Sequence, residues 1–443
     1  MAVVGGTNET TAAGGGEGIA PDPESGTRTE TGSTVPRRLR VWLGRRKWAL
    51  AAAVAFVAVG LSYSFGYTPI VQHSWGWNYP QDIWVTYRGG QYAAWGDFTD
   101  GVPYVSAPAA GLLLTPAAMV ADHFNLISSF PPIFLPKPTT WLVLGPYELV
   151  ISTTVIFAAD LVAEQLGVST GRRRLLVWLE AAALVPVVLY GHPEDVVSVS
   201  FALWGLNAGM HGRWRRAGWL FGVAVVLQPL ALLVLLPTLA LTAPRVWWSV
   251  CWRGAAPTVL VMAFPLLTAW SQTLRFLREP NYIYPNHPTP LLGLTTSAGH
   301  NLVNAGPFRM VAVVLAAGVG WIAYRRRASA AEVVWWIGMA LSLRVVLEPV
   351  LDVYYSWPAV AVLLVTVVAM RGWTRWCSIT LLAALTVHVF WKVSPWAYWT
   401  PLVLALAVVL VLSGRQLPTP RPAACPSDAA ADPGGAAAEP ASR

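Results

Sequence analysis

RRKWALAAAVAFVAVGLSYSFGY, residues 45–67, decides the class of this protein. Three cations, Arg45, Arg46 and Lys47, precede Trp48–Tyr67, twenty residues without a charge. About 20 apolar residues are needed to cross the hydrocarbon of a bilayer, and flanking cations mark the cytoplasmic end. A signal peptide has the same order of basic patch and apolar run. Here the run is long, comes late and is followed by no small-x-small cleavage site. The sequence therefore predicts an uncleaved first helix whose N-terminus is cytoplasmic. Composition extends that reading to the whole chain: of 443 residues, 55% are hydrophobic and 12% charged, against roughly 25% charged in soluble domains. The expected class is an all-α polytopic membrane protein.

The remaining cations set a topology. A formal net charge of +8 is distributed in short clusters beside apolar segments, which is the positive-inside pattern and not a nucleic-acid footprint. With Arg172–Arg174, His211–Arg216, Arg245 and Arg253, Arg325–Arg327, and Arg371 and Arg375 all inside, crossings are expected at Trp141–Glu164, Leu175–Tyr190 and Val196–Met210. Others follow at Ala255–Ala269, Pro307–Tyr324, Val333–Leu351, Tyr354–Met370, Ile379–Trp391 and Pro401–Leu412. Ala217–Thr242 has 26 residues between two cytoplasmic signals and a proline after a polar residue, so a short pair of helices broken at Gln228-Pro229 is expected. Such a break is tolerated where the freed backbone lines protein or a water-filled cavity. Gly111–Ala121 is expected to lie along the interface.

The resulting bundle has about twelve crossings over 48–413. Residues 1–47 form a disordered tail with a basic juxtamembrane patch, and 414–443 a disordered Pro- and Ala-rich tail, both cytoplasmic. The external loops are 68–140, with interfacial helices, and 270–306. Cys251, Cys377 and Cys425 have no metal-ligand spacing and lie by cytoplasmic segments, so no disulfide framework is expected. The 24 tryptophans suit interfacial belts.

On this topology the polar groups separate by side. Asp82, Arg88, Asp97, Asp100, His192, Glu194, Asp195, Gln228, Arg275, Arg278, Tyr282, Tyr284, His287, His300, Glu348, Asp352, Tyr354, Tyr355 and Lys392 fall outside or at the outer membrane end, while the inner side keeps mostly arginine. Ionisable groups at membrane depth are costly and mark functional sites by default. Asp82 is the first acid after the first helix, with Tyr87, Arg88 and Tyr92 at helical spacing; its alternative role is an interfacial helix cap or solvated loop acid. Tyr190-Gly-His-Pro-Glu-Asp195 makes an outer turn in which His192 can act as a base oriented by Glu194 or Asp195. Pro193-Glu-Asp195 is equally an ordinary helix start, where acids favour the N-terminal dipole. Arg344, Glu348 and Asp352 are spaced by four and share a face while a helix continues. They form either a site wall, with Arg344 meeting phosphate, or a structural ion pair. Tyr354, Tyr355 and Trp357 offer sugar-stacking faces or belong to an aromatic belt. His287 and His300 lack metal-site spacing, so neither metal nor cofactor is expected.

Three stretches carry a resemblance to the GT-C glycosyltransferases, especially the actinobacterial polyprenyl-phosphate-mannose-dependent branch. They are Asp82-Ile-Trp-Val-Thr-Tyr87 with Gly101-Val-Pro-Tyr104, the run Gly212–Gly222 leading to Gln228-Pro229, and Tyr354-Tyr-Ser-Trp-Pro358. The resemblance implies an inverting transfer of mannose, or arabinose, from a polyprenyl-phosphate donor to a lipid or glycan acceptor outside the plasma membrane. Asp82 would then be the base that takes the acceptor proton, with His192 as the alternative. Tyr87, Arg88, Glu194, Asp195, Gln228, Glu348, Asp352 and Tyr355 would bind substrate. Many relatives place lysine where this chain has Gln228, so the donor phosphate would fall to Arg275, Arg278, Arg344 or Lys392. Two rival functions are a transporter or flippase of a lipid-linked sugar and a noncatalytic scaffold. Transporters show related halves and midplane charges, and no clear internal repeat is visible here.

Overall fold

A computed structural model describes residues 37–66, 81–96, 109–126, 138–271, 273–274, 282–283, 285, 287–296, 302–391 and 394–417, though not every side chain within them. Of the expected tails 1–47 and 414–443, residues 1–36 and 418–443 lie outside the described residues, as do Cys425 and the candidate residues Asp97, Asp100, Arg275, Arg278, Tyr284, His300 and Lys392; Arg37–Arg45, expected to be disordered, is helical. Asp82 is described in its backbone only.

The described chain is all-helical apart from a two-residue hairpin, β1 (Tyr282–Ile283) and β2 (Val303–Asn304). The basic helix α1 (Arg37–Arg45) forms a unit by itself. The second unit contains α2 (Lys47–Gly66), α3 (Gln81–Ala94), α4 (Ala110–His123), α5 (Pro138–Ser152), α6 (Thr154–Gln165), α7 (Thr170–Ala183), α8 (Val185–Tyr190) and α9 (Pro193–Met210). It continues with α10 (Trp214–Leu227), α11 (Leu232–Thr238), α12 (Pro244–Thr268), α13 (Gly306–Arg325) and α14 (Ala330–Leu347). Last come α15 (Trp357–Ala369), α16 (Gly372–His388) and α17 (Pro395–Gly414). Five stretches among the described residues are long and apolar enough to cross a membrane: Val143–Gln165, Pro244–Thr268, Gly306–Arg325, Ala330–Leu347 and Pro395–Gly414. The chain is thus a helical protein suited to a membrane.

Several expected boundaries change for local reasons. The span expected from Trp141 to Glu164 is present as the stretch Val143–Gln165, interrupted at Thr153, where the Thr153 and Thr154 hydroxyls donate to the carbonyls of Val150 and Ile151, both at 2.7 Å. Hydroxyls that bond back into a helix bend it. The segment Leu175–Tyr190 is two helices, and the second, α8, carries Pro186 in its first turn, where proline is tolerated. Helix α12 begins at Pro244 and not near Ala255, so Arg245 and Arg253 ride within it. Expectation and structure agree at Gln228-Pro229, where α10 ends in extended backbone (φ −156°, ψ 118°). The carbonyls there are taken up within the protein: Val226 accepts from the Ala109 amide at 3.2 Å. Ala224 accepts from the Gln228 amide at 2.9 Å and from the Ser198 hydroxyl at 2.8 Å.

Small residues let these helices approach. A methyl group on Gly222 would sit 2.6 Å from the Arg253 carbonyl oxygen, and one on Gly218 3.1 Å from that of Val250. Gly218 and Gly222 are four apart on α10 and form a flat strip against the backbone of α12, as in Gly-x-x-x-Gly helix pairs.

The two ends of the bundle differ in charge. At one end Asp160 of α6, 4% exposed, accepts from Arg173 at 2.7 and 2.8 Å and from Arg46 at 3.0 Å. Glu164 joins both arginines, so three helices, α2, α6 and α7, are tied at one level. Arg172 reaches the Ala369 carbonyl at the end of α15 (2.8 Å), and the Arg371 amide donates to Gln416 after α17. Arg325–Arg327 close α13. At the opposite end the starts of α9, α15 and α17 meet the ends of α10, α14 and α16, and there the acids, histidines and tyrosines gather.

Gly222→Leu should abolish the α10–α12 contact and lower the apparent unfolding temperature in detergent strongly, since forced overpacking costs about 1–3 kcal/mol or more. Leucine at Gly171, where nothing stands within 4 Å of an added methyl, should leave it within a few degrees. Equal melting of the two variants would refute the close-packing assignment.

Candidate functional site

The site is built on the turn before α9. Gly191 takes a left-handed conformation (φ 77°) that a side chain would strain. The chain then re-enters a helix with His192 as its N-cap residue and Pro193 in the first turn. The His192 side chain does not cap the helix. Glu194 and Asp195, at 0% and 3% exposure, are no solvated first-turn acids either. Each has a specific partner: Glu194 Oε1 lies 2.8 Å from His192 Nδ1, and Gln228 Nε2 donates to Asp195 Oδ1 at 2.6 Å. A carboxylate on Nδ1 places that proton in the bond and makes Nε2 the basic nitrogen. The His192 ring stacks on Tyr354 at 3.7 Å between centroids and 23° between planes. Of the two acids considered as partners of His192, Glu194 is the one in contact with it, while Asp195 turns to Gln228.

The expectation that Arg344, Glu348 and Asp352 share a helix face is only partly met. Pro349 disfavours helical backbone at the preceding residue, so α14 ends at Leu347 and Glu348 is already extended (φ −72°, ψ 124°). Asp352 leaves the face altogether and meets His287 (Oδ1 to Nδ1, 3.4 Å). Arg344 approaches Glu348 only to 3.9 Å. The main partner of Glu348 is Arg309, whose Nε and Nη2 lie 3.0 and 2.9 Å from Oε1. Arg309 Nη2 also donates to the Tyr355 hydroxyl at 3.3 Å, and the Arg344 guanidinium lies over the Tyr355 ring at 4.8 Å. Tyr355 in turn meets Tyr354 edge to face. A buried acid between two arginines thus runs through Tyr355 and Tyr354 to His192.

The segment around Thr289 is pinned to this cluster. The Leu351 amide donates to the His287 carbonyl and the Thr289 amide to that of Pro349, both at 2.9 Å. The Thr289 hydroxyl donates to the Glu348 carbonyl, also at 2.9 Å. Helix α3 approaches through its buried face: Ile83 and Tyr87 share an apolar cluster with Leu114 of α4 and Leu144 of α5. Asp82 is the second residue of α3, next to Ile83. Arg88 donates to the Tyr92 hydroxyl at 3.3 Å.

Three groups escaped the sequence reading. Arg309 was passed over as one more cation in an expected span, although its place in the first turn of α13 put it at the acidic end. Asp160 was legible as an acid inside an apolar helix. Glu148 of α5 is fully buried within reach of the charges of Glu194 and His192. Among the described residues no group of three or more His, Cys, Asp and Glu could hold a metal ion.

Removing one member of a buried pair leaves the other charge uncompensated, at about 3–5 kcal/mol. Arg309→Met should therefore lower the unfolding temperature markedly, and Arg309→Met with Glu348→Leu should recover most of the loss. Additive losses in the double variant would show that the pair is not coupled. No family model matches the chain and neither does any curated protein, so function is read from the residues themselves.

Proposed function

We propose that the protein is a GT-C-like glycosyltransferase of about twelve crossings. It moves a sugar, mannose as the leading candidate, from a polyprenyl-phosphate donor to a lipid or glycan acceptor at the outer face of the plasma membrane. The observation that carries this reading is the convergence of His192–Glu194, Asp195, Arg309, Arg344 and the Tyr354–Tyr355 faces at one helix end. That end lies opposite the arginine clusters, which the positive-inside rule assigns to the cytoplasm. The termini are then cytoplasmic and the site extracytoplasmic.

The chemistry needs few groups. The acceptor oxygen attacks the anomeric carbon, the bond from that carbon to the phosphate oxygen breaks, and the acceptor proton goes to a base while polyprenyl phosphate leaves. Inversion follows from a single displacement. The leaving group is already a stable anion, so cations rather than an acid must hold its charge. Arg309 and Arg344 fill the role left open by Gln228, which is engaged with Asp195. Asp82 is the proposed base, and Tyr354 and Tyr355 offer faces for a sugar ring. A second reading, transport or flipping of a lipid-linked sugar, draws on Glu180: this acid of α7 is fully buried and neither of its oxygens has a hydrogen-bond partner among the described residues.

Purified protein given radiolabelled polyprenyl-phosphate-mannose and a lipid extract should yield a labelled lipid. Asp82→Asn should reduce the rate by about 100-fold or more, the usual worth of a general base, with unfolding temperature unchanged. A rate that survives the substitution moves the base to His192. Absence of transfer from both mannose and arabinose donors would overturn the enzyme reading in favour of transport, where Glu180→Gln should block flux.

A further inference from the structure

Glu148 is the polar group of the site end that the scheme above leaves without a task. It lies in the second half of α5, which packs against α8 and α9 on either side of the His192 turn. Its side chain is at 0% exposure, and among the described residues neither carboxylate oxygen has a hydrogen-bond partner. Ser152, one turn further along the same face, is also at 0% exposure, and its hydroxyl is unpaired too. Across from them Glu194 uses Oε1 for His192 while Oε2 has no partner. Four polar atoms, two of Glu148 and one each of Ser152 and Glu194, thus lie buried on packed helices without a hydrogen-bond partner among the described residues. Buried polar groups are almost always paired, and an unpaired set needs a reason. Simple packing is a poor one, because an apolar residue of the same size would hold α5 against α9 without the cost of stripping water from a carboxylate.

We propose that Glu148 is a specificity-determining residue that binds a pair of adjacent sugar hydroxyls, accepting one hydrogen bond at each carboxylate oxygen. Three of the four unpaired atoms are carboxylate oxygens that only accept when ionised, and Ser152 can do either. That inventory suits a ligand rich in O–H donors, namely the ring of a sugar, and not a phosphate, which brings acceptors of its own. Placement agrees with the chemistry. Leu144, one turn before Glu148, packs with Ile83, the neighbour of Asp82, and Glu194 ties the other side to His192. A ring held by Glu148 therefore lies on the α5 side of the His192 turn, with the arginines that suit phosphate further along the chain of contacts. The assignment rests on the sugar-handling reading of the site but does not depend on catalysis.

The test uses the full chain in lipid nanodiscs and a binding measurement with n-octyl α-D-mannopyranoside below its micelle concentration. Its 2-deoxy and 3-deoxy analogues and n-octanol are the comparison ligands. Wild type should bind the mannoside about tenfold or more tightly than either deoxy analogue, as expected for a lost hydrogen bond to a charged group. Glu148→Leu should bind all three sugars alike while unfolding no earlier than wild type. Glu148→Gln, which keeps size and one acceptor, should narrow the preference and decides the matter if the leucine variant does not fold. In the transfer assay Glu148→Gln should raise KM for the sugar substrate with kcat changed by less than about threefold. Wild-type preference retained in Glu148→Gln, equal binding of all ligands by wild type, or a fall in kcat alone would each overturn the proposal. Discrimination that depends on Glu148 in a protein that transfers no sugar would leave Glu148 standing and remove only the transferase reading.

Discussion

Glu348 sits at 1% exposure between Arg309 and Arg344, and the polar end of the bundle is assembled around it. Its side chain joins the start of α13 to the end of α14. Its carbonyl accepts from the Thr289 hydroxyl and so holds the segment around Thr289. The proline that follows it ends α14 and turns the chain towards Tyr354 and Tyr355. A charge this deep is tolerated only with its counter-charges beside it. The arginines that meet this requirement are also the cations a phosphate leaving group needs, and they are held over the Tyr355 ring. Stability and proposed function draw on the same guanidinium groups. A ligand phosphate would have to share Arg309 with Glu348, and Arg344, whose link to Glu348 is the looser one at 3.9 Å, is the more available of the two.

The opposite end solves a different problem. Asp160 is ringed by Arg46 and Arg173 and stands in no contact with the acids of the other pole. Its geometry is closed: both oxygens are used, and Arg173 reaches it with two nitrogens. A site that binds a ligand keeps lone pairs in reserve, as Glu148 and Glu194 do, whereas Asp160 spends all it has on holding α2, α6 and α7 at one level. The comparison separates a structural network from a candidate site without reference to position in the membrane.

Much of the architecture was legible in the sequence because it follows from two local rules. Apolar length pointed to an all-helical protein, and five of its stretches are long and apolar enough to cross a membrane; the break at Gln228-Pro229 followed from one proline, while helix ends shifted, as at Pro244. The turn at Tyr190–Asp195 and the helix start at Pro193 were also readable, from a glycine followed by a proline and two acids. What failed did so for long-range reasons. The four-residue spacing of Arg344, Glu348 and Asp352 suggested one face, yet Pro349 ended the helix inside the pattern. The partner of Glu348 is 39 residues away in sequence, and no periodicity reports such a contact. The run Gly212–Gly222 was read as part of a family resemblance, while Gly218 and Gly222 have a packing reason that needs no function at all.

Glu148 shows where sequence reading stops. In an apolar stretch a single acid near a proline is indistinguishable from a helix-end charge. Only burial and the lack of a partner separate the two. The same reasoning keeps Glu148 distinct from Glu180. Both are fully buried with unpaired oxygens, but Glu148 has Glu194 and His192 within reach of its charge, whereas Glu180 is shaped by burial alone. An unpaired acid beside other polar groups fits a ligand that brings several hydrogen bonds at once. An isolated one fits at most a proton. The density of unsatisfied groups, more than the presence of any one of them, is what supports the proposal of a binding site at the turn before α9.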